Sequence, residues 1–383
     1  MDIILYIINE SIILKRGKIN SVLYKADGCK LLHIKNKLAD MIIGGQELPP
    51  RVLDFIGNEI EIQTLDNYLS NNPIEIGVDS IYVDLTSACN LTCKGCYSYQ
   101  EQKNKNISME YFDIISTIDV KGKTNLVLLG GEPLLFPINK IYPYIKLWAD
   151  KFNEITVFTN SIYFDERWAS IFSDLSISVR FTLYSLDRNK HDNYVGLVGG
   201  YNSVFDAIDL AKEKQLDYMV NVILDEEEYL AFNENSLGED VQKKRFSIDL
   251  IRPNANYEIT QYSQVKTKKD GLTKPLKNKT FKRAIRDARY HSCYTGKLSI
   301  SVEGEVSHCP WNKVDSTGNI KTLNNSKVID AWKKPISESY TYCSECEFSF
   351  LCFDCTDLNT TSGAKVKRPI TCSYNPLIGE VSC

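Results

Sequence analysis

The 383-residue sequence has no long hydrophobic run, no excess of positive charge and no internal repeat. The longest apolar run at its N-terminus, IILYII, lacks a basic leader and is too short for a membrane span or a signal peptide. A formal net charge of −4 gives no overall basis for binding nucleic acid. These absences favour a soluble, cytoplasmic globular protein, and the length suffices for two or three domains.

Cysteine, by contrast, is plentiful, with twelve residues in the chain. Three form a C-x3-C-x2-C triplet, and seven more lie towards the C-terminus: Cys89, Cys93 and Cys96, then Cys293, Cys309, Cys343, Cys346, Cys352, Cys355 and Cys372. In a reducing cytoplasm such clusters indicate metal or redox chemistry rather than disulfides. The two isolated cysteines, at positions 29 and 383, have no predicted role.

Residues 1–78 predict a separate small α+β unit. The segment DIILYIINESIILKRGKINSVLYKA has the pattern of two or three short strands. Two helices follow, one in LHIKNKLADMIIGG with a Gly-Gly stop and one in LPPRVLDFIGN with proline at its entry. This order suits a winged-helix-like module that binds a leader peptide, and a simple N-terminal cap on the next domain fits it equally well.

Residues 79–285 predict an α/β domain in which strands alternate with helices. Six candidate strands lie at 81–85, 125–130, 154–159, 178–185, 217–224 and 246–251. Because six βα units fall short of the eight in a full barrel, we expect a partial (β/α)6 TIM-like barrel. Its active residues then lie at the C-terminal ends of the strands. The basic stretch 265–283 is expected to be a solvated connector, or else a contact for an acidic peptide.

The cysteine triplet, in CNLTCKGCY, directly follows the first predicted strand. Three thiolates are one short of the usual set for tetrahedral zinc or a cubane cluster. Either a fourth ligand comes from elsewhere, or one metal position stays open. A single loop can hold three corners of a [4Fe–4S] cluster, and the open iron can then bind a chelating amine and carboxylate. Tyr97, directly after Cys96, is placed to pack against a purine.

This triplet, at the end of the first strand of a partial barrel, resembles that of the radical S-adenosylmethionine (radical SAM) enzymes. The resemblance implies that the open iron binds S-adenosyl-L-methionine and that its cleavage gives a 5′-deoxyadenosyl radical. Further cofactor contacts carried over by resemblance are Tyr97, Gly130, Gly131, Glu132, Pro133, Asn160, Ser185 and Asn221. The GGEP motif supplies four of them, and glycines there permit close backbone approach. For Asn160 and Ser185, a turn or helix-cap hydrogen bond is an equally good interpretation. The segment HDNYVGLVGGYNSV resembles the family's segment after the fourth strand.

Residues 286–383 resemble a SPASM domain, a Cys-rich module with auxiliary iron–sulfur clusters. Cys293, Gly304 and Cys309 match its opening, and CSECEFSFLCFDC supplies C-x2-C-x5-C-x2-C. By analogy one cluster is held by Cys343, Cys346, Cys352 and Cys372. The second is held by Cys293, Cys309 and Cys355, with an open iron or with His291 or His308 as fourth ligand. Cys355 departs by one residue from the usual spacing.

Zinc is the rival for this C-terminal region, because paired C-x2-C units also build zinc sites. The upstream triplet and the number of cysteines, seven, favour iron–sulfur. The segments HSCYTGKLSISVEGEVSHCPWN, VIDAWKK and CSECEFSFLC resemble the grasp-with-spasm peptide maturases over about 85 residues. Sulfatase-maturing relatives have a catalytic Asp after the cysteine where Pro310 lies, which argues against formylglycine formation.

The resemblance implies a radical SAM/SPASM oxidoreductase that modifies a ribosomally made precursor peptide. A thioether or carbon–carbon crosslink is the expected product, with epimerisation as the next choice, and no catalytic acid or base is predicted. Expected partners are the precursor peptide, an electron donor such as ferredoxin or flavodoxin, and an ATP-grasp enzyme. The alternatives are a small-molecule substrate, a zinc-containing peptide-binding scaffold with a vestigial barrel, and a nucleic-acid-modifying radical enzyme.

Overall fold

The computed structural model describes residues 4–96, 104–120, 123–233, 245–251, 279–311, 316–323, 325–333, 340–352 and 372–381. The chain divides into two compact units, each built from separate segments. The first unit comprises Met1–Ile76, Gln261–Thr295 and Ile329–Cys383, and the second comprises Gly77–Thr260 and Gly296–Val328. The sequence prediction used three consecutive ranges instead, 1–78, 79–285 and 286–383, and these remain a prediction.

The first unit begins with an antiparallel sheet. Its strands are β1 (Leu5–Asn9), β2 (Ile12–Arg16), β3 (Asn20–Lys25), β4 (Lys30–Lys35) and β5 (Gln63–Thr64), in the order β4-β3-β2-β1-β5. Three helices follow β4: α1 (Asn36–Ile43), α2 (Pro50–Ile56) and α3 (Leu65–Asn71). The segment predicted to form two or three strands contains three, β1 to β3, whereas β4 and β5 lie outside it and were not predicted. The segment LHIK, expected to be helical, continues β4 because it pairs with β3 up to the Asn20–Lys35 pair.

The second unit contains the predicted parallel sheet. Six strands are parallel, β6 (Ser80–Asp84), β7 (Asn125–Leu129), β8 (Glu154–Thr159), β9 (Ser178–Leu183), β10 (Tyr218–Leu224) and β11 (Phe246–Leu250). Helices between them are α4 (Met109–Thr117), α5 (Ile138–Lys151), α6 (Glu166–Asp174), α7 (Arg188–Val195), α8 (Gly200–Glu213) and α9 (Glu226–Ala231). The predicted α/β fold with a partial barrel is confirmed, and each strand lies within two residues of its expected bounds.

Three further strands extend this sheet beyond β6. They are β12 (Lys297–Ile300), β13 (Glu305–Ser307) and β14 (Gly318–Asn319), and β12 runs parallel to β6. The carbonyl of Gly296 starts the pairing, since it accepts from the N–H groups of Asp79 at 2.6 Å and Ser80 at 2.9 Å. The turn at Gly304 then lies against the ring of Tyr111, at a distance that leaves no room for a Cβ.

The described remainder of the first unit contains short helices and one further pair of strands. It includes α10 (Phe281–Arg289), the end of α11 (Asn325–Trp332), α12 (Thr341–Ser344), and the strand pair β15 (Tyr374–Asn375) and β16 (Glu380–Val381). Phe348, Phe350 and Tyr374 share one apolar core with residues of β1, β2, β3 and α10. The N-terminal sheet and the cysteine-rich segment are therefore packed together. No helix among the described residues is long and apolar enough to cross a membrane.

Candidate active site

One cavity of about 470 Å³ lies at the C-terminal ends of the parallel strands in the second unit. Its lining includes most of the residues predicted for the cofactor and the first cluster: Cys89, Cys93, Cys96, Gly130, Gly131, Glu132, Asn160 and Asn221. These residues follow four different strands or lie within them, β6, β7, β8 and β10. The sheet thus brings together motifs that are more than a hundred residues apart in the sequence.

The two glycines of the GGEP motif lie directly against the backbone that leads into the cysteine loop, residues 89–96. The Gly131 N–H donates to the Thr86 carbonyl at 2.7 Å, and the Glu132 N–H donates to the Ala88 carbonyl at 2.8 Å. A Cβ at Gly130 would lie 2.4 Å from the Thr86 oxygen, and one at Gly131 would lie 2.2 Å from the Ala88 oxygen. Gly130 also has φ of +136°, which disfavours any other residue. Only glycine therefore allows β7 to hold the start of the loop.

Glu132 is fully buried, and its carboxylate joins the end of β7 to the end of β8. One oxygen accepts from the Leu134 N–H at 3.0 Å and from the Thr159 hydroxyl at 2.7 Å. The other oxygen accepts from the Asn160 N–H at 2.8 Å. Burial raises the pKa of Glu132 to about 7, although these hydrogen bonds oppose the shift. Because all these donors come from the chain itself, the carboxylate connects the end of β7 to the end of β8 through hydrogen bonds.

We expect this carboxyl to make stability fall as pH rises. Below about pH 4.5 the group is protonated in both the folded and unfolded states, and between about 4.5 and about 7 only the folded state holds the proton. Its stabilising contribution, of about 3 kcal/mol, is therefore complete below pH 4.5 and lost as pH rises through 7. Urea unfolding of metal-free protein at pH 5 and pH 8 measures this. The difference in the free energy of unfolding between the wild type and Glu132→Gln gives the contribution of this carboxyl. If that difference does not change with pH, the raised pKa of Glu132 is contradicted.

The cysteine loop has the donor chemistry of a metal–thiolate site. The Cys89 sulfur accepts from the Leu91 N–H at 3.5 Å and from the Asn160 side-chain amide at 3.8 Å. Burial raises the pKa of Cys89 and Cys93, and the neighbouring sulfurs raise it further. As free thiols these groups are neutral, and a bound cation would convert them to thiolates. Among the described residues, no three His, Cys, Asp or Glu side chains already stand in a metal-holding arrangement.

The segment after the fourth strand holds the other side of the cysteine loop, a role that the sequence did not reveal. The N–H groups of Thr92 and Lys94 donate to the carbonyls of Val195 and Tyr194, both at 3.1 Å. Gly196, with φ of +73°, lets the chain pass Thr92, because a Cβ there would lie 2.2 Å from the threonine hydroxyl oxygen. The HDNYVGLVGG motif was visible in the sequence, but its contact with the loop was not.

Two aromatic rings and a histidine support this contact. Tyr184 and Tyr194 are stacked with ring centroids 4.5 Å apart, and both pack with Leu91 in the loop. The His191 Nδ1 accepts from the Tyr184 N–H at 3.1 Å, and burial lowers the pKa of His191 to about 4. His191 is therefore a neutral, positioned ring at physiological pH, and it also lines the cavity.

Two predicted cofactor residues that the structure describes, Ser185 and Pro133, do not line the cavity. Ser185 is buried, and its hydroxyl donates to Glu228 at 2.7 Å and accepts from the Asp187 N–H at 2.9 Å. The second of these is a turn hydrogen bond, the alternative interpretation of Ser185. Pro133 is buried in a short 3-10 helix, Pro133–Leu135. Tyr97 lies outside the described residues, as do Cys355 and most of the basic stretch 265–283.

The cavity also has lining residues that the sequence analysis did not single out. Ser247 and Asp249 come from β11, and the Ser247 hydroxyl donates to the Asn221 side chain at 2.9 Å. Pro310 and Trp311 come from the segment after β13. Period-two alternation along β11 was the available signal for Ser247 and Asp249, since both lie on one face of the strand. The described lining includes no lysine or arginine.

The cysteines predicted for the auxiliary clusters are divided between the units. Cys343, Cys346, Cys352, Cys372 and Cys293 belong to the first unit, and Cys309 belongs to the second. Cys343 and Cys346 form a tight turn in which the Cys346 N–H donates to the Cys343 carbonyl at 3.3 Å. Burial raises the pKa of Cys346 to about 12. The assignment of these residues to two clusters remains a prediction.

The predicted alternative ligands His291 and His308 are both buried. The His291 Nδ1 accepts from the Cys293 N–H at 3.1 Å, and its ring stacks on Tyr294 with centroids 4.1 Å apart. These contacts give His291 a structural function close to Cys293. A ligand role for either histidine also remains a prediction.

Comparison with known proteins gives a family for this site. Residues 83–229 match the Radical SAM superfamily. The chain is 27% identical over 169 residues to the sporulation killing factor maturation protein SkfB of Bacillus subtilis, a match that covers 43% of this chain and 38% of that protein. The matched region thus spans little more than a third of that relative's length.

Solved structures share the fold over more of the chain. The structure of anSMEcpe with bound AdoMet has a TM-score of 0.58 at 18% identity and covers 76% of this chain and 90% of its own. Streptococcus suis SuiB bound to precursor peptide SuiA has a TM-score of 0.54 at 13% identity and covers 96% and 99%. At these identities the likeness concerns the fold. Together with the family match over residues 83–229 and the cysteine cavity, it identifies a Radical SAM domain within the chain.

Proposed function

We propose that this chain is a peptide maturase that uses radical SAM chemistry on a ribosomally made precursor peptide. The observation that carries the proposal is the single cavity in which the three loop cysteines meet Gly130, Gly131, Asn160 and Asn221. The expected product is a thioether or carbon–carbon crosslink, with epimerisation as the next choice. This reaction type rests on the resemblance in the sequence.

The loop cysteines Cys89, Cys93 and Cys96 are the residues that would hold the first cluster. When bound, a [4Fe–4S] cluster with S-adenosylmethionine supplies the 5′-deoxyadenosyl radical that removes a hydrogen atom from a substrate. The chain fixes the loop from both sides, through the Thr86–Ala88 backbone and through Tyr194 and Val195. The Asn160 amide contacts the Cys89 sulfur and the Asn90 side chain, so it orients the first ligand.

A peptide substrate is supported by the named relatives and by the cavity. SkfB is a maturation protein, and SuiB has been solved with its precursor peptide. The cavity extends from the cysteine loop to Trp311 and Asp249, so an aromatic and a carboxylate side chain are available beyond the cofactor residues. A small-molecule substrate is the second candidate. The partners proposed besides the peptide are an electron donor such as ferredoxin or flavodoxin and an ATP-grasp enzyme.

Metal content tests the cluster assignment. We would purify and reconstitute the chain without oxygen and measure iron, acid-labile sulfide and zinc per chain. About twelve irons with matching sulfide support one radical SAM cluster and two auxiliary clusters. In that case Cys93→Ala and Cys346→Ala each remove about four irons, whereas Cys29→Ala, the matched control at an isolated cysteine, removes none. About four irons with bound zinc would contradict the auxiliary clusters and leave the barrel assignment intact.

Mass spectrometry tests the substrate class. Reconstituted enzyme with S-adenosylmethionine, dithionite and a precursor peptide encoded near this chain should form 5′-deoxyadenosine and alter the peptide. A crosslink removes a pair of hydrogen atoms from the peptide, whereas epimerisation in D₂O keeps the composition and incorporates deuterium. The Cys93→Ala protein is the negative control. Formation of 5′-deoxyadenosine that is stimulated by small metabolites but not by any encoded peptide would favour the small-molecule candidate.

A further inference from the structure

The first unit contains a buried lysine that the proposed reaction does not use. Lys15, near the end of β2, is only 8% exposed. Its ammonium donates to the Ser349 hydroxyl, and among the described residues it forms no ion pair with a carboxylate within 4 Å. Burying a cation without a paired anion is costly, so negative charge nearby stabilises the ammonium form of a lysine in this position.

The segment that follows Lys15 runs along the cysteine-rich turn formed by residues 343–352. The Lys18 N–H donates to the Glu345 carbonyl at 2.9 Å. Gly17 lies so close to Glu347 that a Cβ would be 2.9 Å from its backbone nitrogen. Together with the Lys15–Ser349 hydrogen bond, these contacts place the Lys15 side chain against the turn that carries Cys343 and Cys346.

The nearby groups that can carry negative charge are Cys346, Cys343 and Glu347, in order of their electrostatic effect on Lys15. Glu347 is fully buried, and one of its oxygens already accepts from His33 and from the Tyr374 hydroxyl, both at 2.7 Å. Free thiols are neutral, whereas thiolates bound to a metal keep their negative charge. Glu347 can contribute negative charge near Lys15, and the cysteines of this turn add to it only when they are metal ligands.

We propose that Lys15 is the counter-charge of an anionic iron–sulfur cluster held by Cys343 and Cys346, and that it raises the reduction potential of this cluster. The inference rests on the proposed auxiliary clusters. Reduction adds an electron to the cluster, so a nearby ammonium stabilises the reduced form more than the oxidised form. Lys15 is therefore a positioning charge rather than a catalytic residue. It makes this cluster a better acceptor for an electron from the substrate.

A second buried lysine shows why Lys15 is distinctive. Lys279 also approaches this region, with its ammonium 3.5 Å from the Cys352 carbonyl. It forms an ion pair with Asp287 at 2.9 Å, however, so its ammonium has a carboxylate partner, and among the described residues Lys15 has none within 4 Å. Lys18 offers a surface comparison, because it is next to the same turn and 58% of its side chain is exposed.

Potentiometric titration of the reconstituted full-length chain tests the proposal. The background is Cys89→Ala, Cys93→Ala and Cys96→Ala, which leaves only auxiliary clusters, and dithionite with mediators is the reductant. The EPR signal of the reduced state is followed in Lys15→Met, Lys15→Arg and Lys18→Met. We expect Lys15→Met to make reduction of one cluster at least tenfold less favourable, a shift of about 59 mV to lower potential for one electron. Lys15→Arg, which keeps the charge, and Lys18→Met should both stay near the parent value.

The outcomes separate this proposal from the proposed function. Equal potentials for Lys15→Met and Lys18→Met, with iron content intact, would overturn the role of Lys15 while the clusters stand. If the parent protein holds no auxiliary iron, and Cys346→Ala changes nothing, both the clusters and this inference fail together. If Lys15→Met does not fold, Lys15→Gln serves, since it keeps a hydrogen-bond donor for Ser349 and removes the charge.

Discussion

A Gly131→Ala protein should lose the iron of its loop cluster even though no ligand has been changed. The added methyl would lie 2.2 Å from the Ala88 oxygen and 2.7 Å from the Ala88 carbonyl carbon. Backbone atoms cannot rotate away as a side chain does, so either β7 or the residue before Cys89 must move. We expect destabilisation of about 3 kcal/mol, together with a loss of about four irons per chain, comparable to the loss in Cys93→Ala.

The matched control is Gly77→Ala in the same unit. Gly77 has no positive φ, and a Cβ there would meet open space. The substitution should leave iron content unchanged and is expected to be neutral or to stabilise by about 0.4–1 kcal/mol through the unfolded state. Urea unfolding and iron analysis of both variants decide the matter. Full iron content in Gly131→Ala would show that close approach to Ala88 is not what positions the loop.

The parallel strands were predictable because their cause is local. The segments that form β7, β8 and β10 are short apolar runs rich in Val, Ile and Leu, bounded by turn residues, and this pattern alone indicates buried strands. Their order and direction then follow from the helices between them, which force parallel crossovers. The cysteine triplet and GGEP fall at strand ends for the same reason.

Other features depend on contacts between distant segments, and a local sequence pattern does not predict such contacts. The residues KLSI of β12 were assigned to a C-terminal domain by cysteine spacing, yet they pair with β6, more than two hundred residues earlier. The GGEP motif is visible in the sequence, but its close approach to the backbone of Thr86–Ala88 is not. Lys15 looked like an ordinary strand residue, and only the fold brings Ser349 and Cys346 to it.

The second large effect is expected at Asp287 on α10, which is 2% exposed. Its carboxylate lies 2.9 Å from the Lys279 ammonium, 3.0 Å from Arg283 and 3.6 Å from Arg286. Asp287→Asn keeps the shape but leaves a buried ammonium without its anion, which should cost about 3–5 kcal/mol in the free energy of unfolding. The control is Asp66→Asn, which removes the exposed ion pair of Asp66 with Arg289 on the same helix. That change should cost less than about 1 kcal/mol.

The pH dependence distinguishes charge burial from lost packing. Burial already lowers the pKa of Lys279, and Asp287 opposes this shift, so Asp287→Asn should lower that pKa further. A lysine whose folded pKa is depressed binds its proton more weakly in the folded state than in the unfolded state. Stability therefore rises with pH between the depressed value and about 10.5. Urea unfolding at pH 7 and pH 9.5 measures the free energy of unfolding that each variant loses relative to the wild type. This loss should be smaller at pH 9.5 than at pH 7 in Asp287→Asn and the same at both pH values in Asp66→Asn. An equal loss at both pH values would mean that Asp287 acts through packing and hydrogen bonds rather than through its charge.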